Sequence, residues 1–336
     1  MTNVEPRAKS SRASYRVGGI YAIVTALLLA TQEPFSVLAA KRLSSPYFIG
    51  ITQLALLLSV PMLTLPGGAR LDDFVALLTN RRHLGRLLLL FCVGTAGLLL
   101  YNLGLSSAHP IIVAVILNLS PFWAALVALI VSKKGVPVSF VVYLSCFLLA
   151  FAGAMTVAWS QMDNSGHILD DIITNFWRRT WMYAIPVPIF YALSGTLVGH
   201  WFAEFDESAT IAASFVVSSV ILLPATFIMS SINIVTIDEP TMYAIVLLML
   251  GTLAAAAAGR VFYQVALSRT DNDNGFVTMF FLLIPGLTAL ISFPLSWWIP
   301  ALSFILDPLF FVGLALITAS LSIFSYEALR PPRSTI

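Results

Sequence analysis

Charge is what this sequence has least of. Asp, Glu, Lys and Arg make up 10% of its 336 residues, hydrophobic residues make up 59%, and the mean hydropathy is +0.91. A soluble domain carries about 25% charged residues, so there is too little polar surface here to coat a water-soluble globule. The chain therefore reads as an integral membrane protein. Its net charge is only +2, and Lys and Arg fall in short loops and tails without a basic stripe, which argues against a nucleic-acid partner. Cysteine is equally scarce. Cys92 and Cys146 lie in apolar runs with neither metal-type spacing nor a disulfide argument, and read as small core residues.

Enzyme signatures are missing as well. There is no H-E-x-x-H, no G-x-S-x-G and no pair of intramembrane aspartates. The acids of the apolar runs are Glu33 and terminal ones such as Asp307 and Glu327, so a two-carboxylate mechanism lacks its partner. No ring of repeated charges marks a channel, and no appended soluble domain or long tail speaks for a sensor or scaffold. Neither a metal nor a cofactor is expected.

Long apolar runs are what the chain has. A helix crossing the hydrocarbon needs about 20 mostly apolar residues, and ten runs qualify: 17–41, 46–65, 87–107, 110–132, 138–160, 181–203, 208–230, 241–267, 275–298 and 306–326. Ten spans place both termini on one side. Arg7, Lys9, Arg12, Arg16, Arg70, Arg81, Arg82, Arg86, Lys133, Lys134, Arg269, Arg330 and Arg333 fall on that face, thirteen in all, against Lys41, Arg42, Arg178 and Arg179 on the other. The positive-inside rule then assigns residues 1–16 and 327–336 to the cytoplasm as tails, and 161–180 to the outside as a polar linker, in a multi-pass protein of the cytoplasmic (inner) membrane.

The chain also resembles itself. At a shift of 162, "YAI" at 21–23 meets "YAI" at 183–185, and "YNLGLSS" at 101–107 meets "YQVALSR" at 263–269; a shift of 164 brings Pro121 opposite Pro285. This divides the chain into five-helix halves, 17–160 and 181–326. Because five is odd, the second half is inverted relative to the first, the plan of many secondary transporters. The expected fold is all-α: ten transmembrane helices as two inverted five-helix repeats around a central cavity. A cleaved secretory signal ending near Ala40 is the competing account of the first run, but the repeat gives span 1 a counterpart in span 6, which a signal peptide does not need.

"ATQEP" at 30–34 aligns with "ALSGT" at 192–196. Pro34 cannot donate to the carbonyl of Ala30, so span 1 is expected to kink or open there; Ser194-Gly195 weakens span 6 more gently. Pro121 and Pro285 form a second pair, freeing the carbonyls of Leu117 and Phe281. Paired breaks at corresponding positions point to a midplane binding site, although prolines in membrane helices also serve packing alone.

The segment "YNLGLSSAHPIIVAVILNLSPFWAALVALIV" (101–131), its counterpart "VALSRTDNDNGFVTMFFLLIPGLTALIS" (265–292) and "FLLAFAGAMTVAW" (147–159) resemble the ten-helix EamA-like exporters of the drug/metabolite transporter superfamily. The resemblance implies a carrier that moves a small organic solute by alternating access. It has departures: Thr31-Gln32-Glu33-Pro34 stands where a Trp-Gly pair or small polar residues are frequent, Gln53 where an Arg is frequent, and Lys133-Lys134-Gly135 where an acid is frequent.

A charge at the bilayer centre costs about 2.5–3.5 kcal/mol on insertion scales, so intramembrane charges usually face the bundle interior. Glu33 lies about 24 Å from the cytoplasmic end of its span and Arg260 about 11 Å from the cytoplasmic end of its own, at helical rise. The difference of about 13 Å disfavours a direct pair. Arg260 reads either as snorkelling to the headgroups or as a cavity cation for a carboxylate or phosphate. Glu33 is too short to snorkel; it is held by Gln32 or a freed carbonyl, or it faces water and serves a proton or an amine. Tyr101 and Tyr263 are candidate cavity walls. Gln53, Asn102, Asn118 and Gln264 serve either interhelical packing or ligand contact. The candidate site is thus Gln32, Glu33, Gln53, Tyr101, Asn102, Asn118, Arg260, Tyr263 and Gln264, with Glu33 as the proton-coupling residue and Pro34, Pro121, Ser194, Gly195 and Pro285 as helix breaks. The expected partners are the lipid bilayer, a small-molecule solute and, on one alternative, protons. Amino acids and related amphipathic metabolites, exported, are the leading solute class. Facilitated diffusion and uptake stay open.

Overall fold

The computed structural model describes residues 12–65, 68–105, 139–160, 186–202, 204–230, 239–270, 274–297 and 307–328, with isolated positions 117, 123, 183 and 299. Among the described residues the regular structure is helical. In chain order the helices are α1 (Arg12–Arg42), α2 (Ser45–Thr64), α3 (Gly68–Thr79), α4 (Arg81–Leu105), α5 (Phe140–Ser160), α6 (Val187–Trp201), α7 (Glu207–Ser230) and α8 (Glu239–Leu253). A π-turn (Ala254–Gly259) joins α8 to α9 (Arg260–Arg269). Next come α10 (Asn274–Met279), a 3-10 turn (Phe280–Leu283), α11 (Ile284–Ser296) and α12 (Pro308–Ala328).

Six apolar stretches are long enough to cross a membrane: Ser14–Arg42, Ser45–Thr64, Arg81–Gly104, Phe140–Val157, Glu207–Met229 and Glu239–Arg269. Phe280–Ser296 and Pro308–Phe324 are apolar but shorter. The expected span 110–132, with Asn118 and Pro121, and the linker 161–180 lie outside the described residues.

Local chemistry sets several helix starts. Ser44 is extended and Pro46 sits in the first turn of α2, where its missing N–H costs nothing. Asp206 Oδ1 accepts the N–H groups of Ser208 and Ala209 at 2.9 and 3.2 Å, capping α7. Asp307 does the same for Leu309 at 2.7 Å at the start of α12. Leu54, Leu58 and Met62, four residues apart on α2, are exposed: an apolar face turned outward, as a lipid-facing helix presents.

Helix α1 lies at the centre. Its Ala22, Ala26 and Ala30 are fully buried, and it packs against α8, the π-turn, α9, α10 and α11. Around it α2 pairs with α7, α4 with α6 and α5 with α12. Glycine permits the last crossing: a Cβ at Gly313 would stand 2.5 Å from the Gly153 carbonyl oxygen, and one at Gly153 would stand 2.6 Å from that of Gly313. Small residues allow such close approach between membrane helices.

One set of helix contacts recurs at a separation of 162 residues. A Cβ at Gly97 on α4 would touch Phe190 and Tyr191 on α6 at 3.2 and 3.5 Å. Adding 162 to Gly97 gives Gly259, and subtracting it from the partners gives Leu28 and Leu29; a Cβ at Gly259 would meet those two residues at 3.7 and 3.9 Å.

The helix breaks fall elsewhere than the prolines suggest. α1 stays helical through Pro34 and α6 through Ser194 and Gly195. The Ala30 carbonyl that Pro34 leaves without its usual donor faces the Thr288 hydroxyl of α11, 3.5 Å away in a buried interface, at the outer limit of hydrogen bonding. Pro285 does mark a break: the 3-10 turn precedes it, and the Phe281 carbonyl accepts the N–H of Ile284 instead. The π-turn over "AAAAAG" was not foreseen. The stretch between the expected spans 46–65 and 87–107 carries a further helix, α3, which buries Leu77 and exposes Leu71 and Val75. Cys146 is buried as expected, but Cys92 is exposed on α4.

Candidate functional site

Glu33 is 8% exposed in the half of α1 nearer Arg42. The Tyr101 hydroxyl, 4% exposed near the end of α4, donates to Glu33 Oε2 at 3.0 Å. A carboxyl buried in a membrane bundle needs such a partner, since an unsatisfied one would bear the full desolvation cost. Neither Gln32 nor a freed carbonyl is the partner seen. Gln32 lies instead where α8 crosses α1, its Cα 3.2 Å from where a Cβ at Gly251 would stand. Asn102 is buried beside Tyr101, at 3% exposure.

Tyr191 of α6 stands within electrostatic reach of Glu33, Tyr101 and Arg260. It is 41% exposed. Arg260, also exposed, opens α9 directly after the π-turn. A π-turn adds one residue to the helical repeat, so Arg260 is rotated by about 100° from where an unbroken α-helix would carry it. The repeat counterpart of the π-turn, Cys92–Gly97, is plain α-helix, so this rotation belongs to one half alone.

Glu33 and Arg260 do not pair directly: the ion pair among the described residues is Arg70–Asp206 at 3.5 Å. Tyr191 is within electrostatic reach of both. The Arg260 guanidinium lies 6.0 Å from the centroid of the Tyr263 ring, and Tyr263 is within reach of Glu207 as well. The counterpart tyrosines thus attend opposite charges, Tyr101 the carboxyl of Glu33 and Tyr263 the guanidinium of Arg260. Gln264 accepts a hydrogen bond from the Ser208 hydroxyl of α7, and its Nε2 is buried without a partner.

Gln53 lies apart from this group. Its Oε1 accepts the hydroxyls of Ser218 and Ser219 at 3.0 and 3.3 Å, joining α2 to α7. Pro285 and Pro34 are buried in helix interfaces, while Ser194 is half-buried on α6. Asn118 and Pro121 lie outside the described residues.

Two residues of the site were not anticipated. Glu207 opens α7 one residue before the expected span 208–230. Tyr191 carried a usable signal: it precedes Ser194 by three residues, on one face of α6 with the weak step.

No family model matches the chain, and no curated protein matches it. Twenty-one solved chains match it in three dimensions. The fold is a known one. One of these crystal structures aligns with a TM-score of 0.63 over 95% of this chain and 98% of its own, at 15% identity. At that identity the likeness concerns the fold alone.

Proposed function

We propose that the protein is a secondary transporter of the EamA-like kind, moving a small organic solute across the cytoplasmic membrane by alternating access. The observation that carries this reading is the Glu33–Tyr101 pair, with the exposed side chains of Tyr191 and Arg260 within electrostatic reach of one another. We take the space they open onto as the solute cavity. A carboxyl and a cation kept inside an apolar bundle are expensive there, and such groups typically serve a solute or ion pathway. The recurrence of the Gly97 contacts at Gly259 supports the arrangement of ten spans as two inverted five-helix halves, and the charge distribution supports cytoplasmic termini. Amino acids and related amphipathic metabolites, exported, are the proposed solutes, since aromatic walls with few fixed charges suit them. Proton coupling rests on Glu33; facilitated diffusion is the alternative if that carboxyl only positions Tyr101.

The test is solute release from cells expressing wild type, Glu33→Gln or an empty vector at matched protein abundance. Release of a defined solute by wild type, lost in Glu33→Gln, is the expected result. Normal release by Glu33→Gln ends the proton-coupling idea, and no release by wild type ends export.

A further inference from the structure

Arg260 of α9 has an acid, Glu207 of α7, within electrostatic reach. Its guanidinium lies 6.0 Å from the centroid of the Tyr263 ring, three residues further along α9. Gln264 follows Arg260 by four residues and shares its helix face. The Ser208 hydroxyl of α7 is hydrogen-bonded to that Gln264, which sets the start of α7, where Glu207 precedes Ser208, against α9 one turn from Arg260. Glu207 and Arg260 approach without the direct contact that Arg70 and Asp206 make. Glu207 is half-buried and interacts electrostatically with Arg260, Tyr263 and its neighbour Asp206. Asp206 is engaged elsewhere, capping α7 and meeting Arg70 of α3. The groups within electrostatic reach of the guanidinium are Glu207 from α7, Tyr191 from α6 and Tyr263 from its own helix.

We propose that Glu207 is the counter-ion of Arg260 and a determinant of solute charge: it offsets the guanidinium, so that the cavity accepts neutral or zwitterionic solutes and disfavours net anions. An uncompensated Arg260 would make the cavity an anion site. With Glu207 beside it, an incoming anion must displace or repel one carboxylate, whereas a zwitterion presents a group to each charge. This deepens the transport reading and rests on it, because the cavity is taken as the solute path.

The test reads the cavity's potential without requiring transport. In a full-length background with Cys92→Ala and Cys146→Ala, the thiol of Tyr191→Cys is labelled with an anionic and a cationic methanethiosulfonate of similar size. The anionic-to-cationic rate ratio is expected to rise about tenfold in Glu207→Gln and to fall about tenfold in Arg260→Gln, because one charge acts on two opposite reagents. It should return near its starting value in the double variant, and Glu207→Asp should hardly move it. An unchanged ratio in Glu207→Gln with a fall in Arg260→Gln overturns the counter-ion role and leaves the cavity intact. A thiol that neither reagent reaches overturns the wet cavity, and the counter-ion role with it. Glu33→Gln release, measured separately, shows whether the transport reading stands.

Discussion

The hydroxyl of Tyr101 on α4 donates to Oε2 of Glu33 on α1 at 3.0 Å, with both side chains under 9% exposed. The bond ties the central helix to one that pairs mainly with α6, so any movement of α4 against α1 must break or carry it.

Removing the donor alone isolates its contribution. Tyr101→Phe keeps the ring and leaves Glu33 short of a partner, which costs about 1–3 kcal/mol. The expected outcome is a lower unfolding temperature in detergent and reduced solute release. Tyr101→Phe in a Glu33→Gln background should lose less than the two single effects together, because the residues share one interaction. Additive losses would mean that the bond contributes nothing.

The glycine crossing of α5 and α12 should be intolerant of even one methyl group. Gly313→Ala would place a carbon 2.5 Å from the Gly153 carbonyl and 2.7 Å from Val157 Cγ2, so the helices must separate. A loss of about 1–3 kcal/mol is expected, read as a fall in thermal stability of the detergent-solubilised protein. Gly94→Ala is the control. A Cβ there meets nothing within 4 Å, and the substitution should be neutral or stabilising by up to about 1 kcal/mol through helix propensity.

Asp206 both caps α7 and pairs with Arg70, and the two roles separate by substitution. The ion pair is about one-third exposed on each side, so Arg70→Gln should cost under about 1 kcal/mol. Asp206→Ala removes the cap as well and should cost about 1–2 kcal/mol, while Asp206→Asn, which still caps, should resemble Arg70→Gln. Thermal unfolding of the three variants checks the order. An Asp206→Ala protein as stable as Arg70→Gln would show that the cap is dispensable.

Much of the architecture was legible because lipid imposes a simple rule: a spanning segment must be long, apolar and helical. The expected span 241–267 falls within Glu239–Arg269, and 46–65 within one residue of Ser45–Thr64 at each end. Glu33 and Arg260 stood out for the same reason, as charges where charge is costly. The breaks were less legible. Pro34 carries the strongest local signal for an opening, yet Thr288, 258 positions from Ala30, supplies a donor facing the freed carbonyl of that residue. Nothing local in "AAAAAG" distinguishes a π-turn from an α-helix; its small residues lie buried against α1 and α2.

The sequence by itself determined the solvent the chain lives in, its helical class, its charged residues and the shift of 162, because those depend on composition and period. Only the tertiary structure decided what each charge faces. It set Tyr101 on Glu33, brought Tyr191 within electrostatic reach of both Glu33 and Arg260, and turned Gln53 toward Ser218 and Ser219. Side chains on different helices meet according to crossing position and rotation about each axis. One added residue in a π-turn changes that rotation by about 100°, a difference that no span boundary records.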